Sequence, residues 1–291
     1  MSEIPPRATR PAFVQSRAGD LKTPPLVHEQ TTTAQELGSE RDPRFLLFVG
    51  LVVAALSIGL KSELLTARRV WALSIVLAAV ALPALVLYLR EEHGLPAIEH
   101  YIPTILGLIA LTGLSFIVPE WWKYLLAATG FACTFFLAGY FDYERAHAKE
   151  KPGHVVLQEA VLGVITVAAY LVILTSQVNL LFRLVAIFGI TWLATFRSFR
   201  ILGRPIPSRR AFFFSLLVAQ VVAFLSWAMS VYVLIGEGLF AGMLLLAWYI
   251  NRGVIRHAVE ETLNRRVALE FGALSLFLAY LFFTNYQPPA T

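Results

Sequence analysis

The chain has 291 residues, 57% of them hydrophobic and only 15% charged, with a mean hydropathy of +0.67 and a formal net charge of +5. Soluble globular chains carry about 25% charged residues, so an ordinary soluble enzyme, a disordered chain and a nucleic-acid-binding domain are all excluded, and no nucleic-acid partner is expected. The composition is that of an all-α, polytopic transmembrane helix bundle.

Residues 1–44 hold Pro5, Pro6, Pro11, Pro24 and Pro25, and lack the apolar core of a signal peptide. This Pro-, Thr- and charge-rich stretch cannot bury enough apolar surface to fold alone and reads as a disordered tail. A transmembrane domain is expected over 45–284, followed by a short tail at 285–291. Nine apolar segments meet or approach the length of a spanning helix, with eight as the alternative count. They are 45–60, 70–89 with Pro83 inside, 101–118, 121–141, 160–175, 180–196, 211–235, 239 to about 250, and 267 to about 284. The eighth is the shortest and is expected to continue past Asn251. Trp121, Trp122 and Tyr140 are expected to anchor the fourth at the interface. Tight turns at 176–179 and 236–238 predict two helical hairpins. Gly238 with Gly242, and Gly130 with Thr134, have the spacing of close helix–helix contacts.

With nine spans, 19 of the 24 basic residues fall on the side of the N-terminal tail. Four lie opposite (Lys61, Arg68, Arg69, Lys123), and Arg183 sits within the sixth span. The positive-inside rule then predicts a cytoplasmic N-terminus and an extracytoplasmic C-terminus in the cell (plasma or inner) membrane. Cys133, the lone cysteine, lies in an apolar run and reads as a small apolar residue.

The tail side also collects the histidines and most carboxylates. Glu144 and His147 share a helix face at i, i+3, and with Glu99 and His100 they form the candidate metal ligands. Such a two-residue spacing recurs by chance, and polar residues gather in long loops in any case. Glu260 to Arg265 match the E-E-x-x-x-R motif of CAAX-protease-like membrane metalloproteases, but no histidine follows His257 to complete a metal site in that family's order. An amphipathic helix with the stripe Ile255, Val259, Leu263 and Val267 and the pairs Arg256–Glu260 and Glu261–Arg265 accounts for the same residues.

Arg197, Arg200, Arg204, Arg209 and Arg210 make the densest basic loop, a candidate site for anionic lipid headgroups. Arg183 and Gln220 are the intramembrane polar candidates, since a charge in a span is costly and often functional. Phosphate-binding, dinucleotide, zincin and serine-hydrolase motifs are absent from the sequence, so no catalytic residue is assigned and no cofactor is expected. The expected function is a non-catalytic scaffold or accessory subunit, with the bilayer, a membrane-protein partner or a second copy as partners. The alternatives are a transporter or flippase using a polar cavity near Arg183, Gln220 and Pro83, and a membrane-embedded enzyme using the tail-side His and Glu residues.

Overall fold

A computed structural model describes residues 42–61, 67–89, 97–118, 120–146, 152–176, 178–201, 206–233 and 235–286. The chain divides into two units, 1–41 and 42–291, and every described residue belongs to the second. The tail predicted over 1–44 lies, up to residue 41, outside the described residues, as do His147 and Arg204.

Among the described residues the structure is helical, with helices α1 (Arg44–Lys61), α2 (Ala67–Leu89), α3 (Ile102–Ile117), α4 (Trp121–Ala146), α5 (Pro152–Thr175), α6 (Leu180–Ile201), α7 (Ser208–Tyr232), α8 (Glu237–Val259) and α9 (Arg265–Thr284). A 3-10 turn at Ile98–His100 leads into α3. Seven of the described segments, from the one opening at Ile98 to α9, are long and apolar enough to cross a membrane; the described apolar stretches of α1 and α2, Arg44–Gly59 and Ser74–Leu89, are shorter. The fold is thus the all-α transmembrane bundle expected, with one helix for each of the nine segments.

Local signals start the helices. Pro103 sits in the first turn of α3 and Pro152 opens α5, where a missing N–H costs no helical hydrogen bond. Asn179 Oδ1 accepts from the Phe182 amide at 2.8 Å, and Asn264 Oδ1 accepts from the Val267 amide at 3.0 Å, capping α6 and α9. Pro83 lies inside α2, which continues to Leu89.

Two apolar cores share α3 and α4. One joins α1 to α4 around Leu46, Leu77, Leu85, Tyr124 and Phe135. The other joins α3 to α8 around Leu106, Leu162, Ile187, Val218 and Leu244. Close approaches occur at glycines other than those the spacing suggested. A Cβ on Gly50 would lie 3.1 Å from the Ala132 carbonyl, and one on Gly113 would lie 2.1 Å from Val172 Cγ1. By contrast, a Cβ on Gly130, Gly238 or Gly242 would meet no atom within 4 Å. Small-residue spacing marks where helices can approach, but the neighbour's direction decides where they do.

Most of the helices run a few residues past their expected ends, and three of them, at the polar end, by five or more. The fourth runs to Ala146 and gains Asp142 and Glu144; the fifth starts at Pro152 and gains His154, Gln158 and Glu159. The sixth runs to Ile201, so Arg197 and Arg200 belong to a helix rather than a loop. Apolar runs stop at the first charge, whereas a helix continues wherever a neighbouring helix supplies the opposite charge. The amphipathic stripe is also corrected. Helix α8 continues past Asn251 as expected but ends at Val259, and Glu261 turns the chain with φ 56°. Leu263 is half exposed in the resulting turn, and α9 begins afresh.

Candidate functional site

The polar residues converge at one end of the bundle, the end at which α1 starts. Phe45 stacks with Tyr88, which in turn packs on Tyr143, one residue from Asp142. At the far end, Val233 pairs with Tyr286 in an isolated bridge, so the described C-terminus is opposite to Arg44.

Asp142, at the end of α4, is 1% exposed, and Arg197, near the end of α6, is 3% exposed. The Arg197 Nη2 donates to both Asp142 oxygens at 2.9 and 3.1 Å, and its Nη1 donates to the Glu99 carbonyl at 2.7 Å. The His100 Nδ1 lies 3.0 Å from Asp142 Oδ2. One turn on, Arg200 donates to Glu99 Oε1 at 3.1 Å and to the Ile206 carbonyl at 3.2 Å. The 3-10 turn, α4 and α6 are thereby tied together by charge-assisted bonds.

A second cluster lies between α5, α6 and α8. Glu159 accepts from Arg252 Nη2 at 3.2 Å and from Arg256 Nη1 at 3.1 Å. Arg252 is 4% exposed, donates to Ser198 Oγ at 2.9 Å, and lies 5.0 Å from the Trp248 ring. Arg256 Nε also donates to Glu260 at 3.1 Å. Deeper in the bundle, the Trp248 indole donates to Thr195 at 2.9 Å, and Tyr170 shares a 2.7 Å hydrogen bond with Thr191. Ser198, Thr195 and Thr191 thus carry a polar seam along one face of α6 into the apolar core. A third node is Glu144, which accepts from the Tyr140 hydroxyl at 2.6 Å and lies 2.8 Å from His154 Nδ1.

The sequence-derived candidates are distributed as follows. Glu99 and His100 belong to the first cluster, through Arg200 and Asp142 respectively, and Glu144 belongs to the third node with His154. Among the described residues, no three His, Cys, Asp or Glu side chains gather so as to hold a metal ion. Arg197 and Arg200 point inward to carboxylates, whereas Arg209 and Arg210 are exposed in the first turn of α7. Arg183 is partly buried in the first turn of α6, with a buried Nε that has no hydrogen-bond partner among the described residues. Gln220 is exposed on α7 and faces outward. Cys133 is exposed on α4.

The sequence places Arg252 and Arg256 among the basic residues of the tail side and Asp142 and Glu159 among its carboxylates, and of their contacts it predicts only the Arg256–Glu260 pair. The recurrence of Thr191, Thr195 and Ser198 at helical spacing in an apolar run was the available signal of an inward polar face. The side-chain carboxylates of Glu99, Asp142, Glu144, Glu159 and Glu260 are each engaged by a guanidinium, an imidazole or a phenol. Such groups cross-link helices, and in this engaged form they are not poised as free general bases.

Fold and cluster together define a polytopic helical membrane protein with an ion-paired layer at one end. The chain belongs to the family DUF5656, described as a protein of unknown function, whose model matches residues 90–284. No curated protein and no solved structure matches it.

Proposed function

We propose that this protein is a non-catalytic membrane scaffold or accessory subunit that uses α9 to bind a membrane-protein partner or a second copy. The observation that carries this reading is the isolation of α9. Only 6% of its span is buried within the chain, against 33–56% for the other long apolar segments. It packs chiefly on α8, where Phe271 closes over Gly253, so near that a Cβ on Gly253 would lie 2.3 Å from the ring. Leu269, Leu276, Phe277, Tyr280 and Phe283 remain exposed. The ion-paired layer supports the same reading, because its charged side chains are engaged in holding α4, α5, α6 and α8 in register. The excess of basic residues on the side of the cluster supports a cytoplasmic cluster end and an extracytoplasmic C-terminus in the cell membrane.

Extraction of the full chain in membrane-derived polymer discs, followed by measurement of the protein mass, tests the proposal. The expected result is a stoichiometric complex heavier than the single 32.3 kDa chain, reduced to that chain when Leu276, Phe277 and Tyr280 are replaced by alanine. A lone wild-type chain contradicts it.

A further inference from the structure

We infer that the groove between α5 and α8 binds the acyl chain of a phosphate-headed lipid, whose headgroup sits at Arg252. The groove has a volume of about 440 Å³, within the roughly 300–1,000 Å³ of small-ligand sites. Its inner lining is apolar, with Ala160, Gly163, Gly242 and Leu245 on facing helices. The glycines make the space: a Cβ on Gly163 or Gly242 would meet no atom within 4 Å. From Gly242 to Arg252 the groove runs about 15 Å along α8 at 1.5 Å per residue.

Chemistry at the head of the groove selects the headgroup. Glu159 and Arg252 line it there. Each oxygen of the groove-lining Glu159 already accepts from a guanidinium, which offsets the carboxylate's charge there. Arg252 is 4% exposed, yet its Nε has no hydrogen-bond partner among the described residues. Glu260, the other carboxylate of the cluster, bonds the Nε of Arg256 and does not line the groove. A phosphate oxygen supplies the acceptor that Arg252 lacks, while the alkyl chain fills the space beside Gly163 and Gly242. This inference is independent of the scaffold proposal, which concerns α9.

The test uses the full chain in phospholipid-free maltoside micelles, titrated with dioctanoyl phosphatidic acid, with dioctanoylglycerol and with inorganic phosphate. Phosphatidic acid is expected to bind at least about tenfold more tightly than the neutral lipid, as charge-assisted hydrogen bonds imply, with no saturable binding of inorganic phosphate. Gly242→Leu is expected to weaken phosphatidic acid by about tenfold or more, the equivalent of displacing two methylenes, with an unchanged thermal midpoint. Gly163→Leu, on the facing helix, is the second variant should the first fail to fold. Equal binding of the two lipids, saturable inorganic phosphate binding of comparable affinity, or undiminished phosphatidic acid binding by a folded leucine variant overturns the inference.

Discussion

Arg197→Ala is expected to destabilise the protein by about 3–5 kcal/mol, the cost of stranding a buried charge. The variant leaves Asp142, 1% exposed, without its bidentate partner, and it releases the Glu99 carbonyl as well. His100, the remaining neighbour of Asp142, is more exposed and reaches a single oxygen. The measurement is a thermal or denaturant midpoint in mild detergent. The double variant Asp142→Asn with Arg197→Met removes both charges together and is expected to be more stable than Arg197→Ala alone, since an apolar replacement avoids the stranded ion. If Arg197→Ala unfolds at the wild-type midpoint, the pair does not hold the bundle together.

Gly113→Ala is the second large effect. The new Cβ would lie 2.1 Å from Val172 Cγ1 and 3.1 Å from Val172 Cβ, so α3 and α5 must separate or repack. Overpacking of this kind costs about 1–3 kcal/mol. Val172→Ala in the same chain removes the opposing methyls and is expected to recover most of the loss. Gly130→Ala, where the Cβ meets open space, is expected to be neutral or to gain up to about 1 kcal/mol from reduced backbone freedom. Midpoints of these three variants in one detergent check the set; equal losses at Gly113 and Gly130 would contradict the packing described.

The helices were legible in the sequence because hydrocarbon thickness and backbone hydrogen bonding allow few alternatives to a long apolar helix. Their ends were not, for a definite reason. Asp142, Glu159 and Arg197 look like the start of loops when each is read alone, yet each has its partner on another helix, 55 residues away for Arg197 and Asp142 and 93 for Arg252 and Glu159. A one-dimensional reading sees the desolvation cost of such a residue and not the pairing that offsets it. Spacing and side group Glu99, His100 and Glu144 with His147, and the three of these that are described lie at one end of the bundle. The chemistry expected of them required convergence on one point, but Arg200, Asp142 and His154 divide them among different partners. The α5–α8 groove was invisible for a related reason, because Gly163 and Gly242 have no counterpart in each other's local sequence.

A bundle that enters the membrane at the cluster end and finishes at the other puts Asp42 and Asn285 on opposite sides. Cysteines placed at Asp42 and at Asn285 in a Cys133→Ser chain, probed with a membrane-impermeant maleimide in sealed vesicles, test this directly. Only one of the two positions is expected to be labelled before the vesicles are opened, and the other once they are. Labelling of both positions from the same side, in intact vesicles, would contradict it.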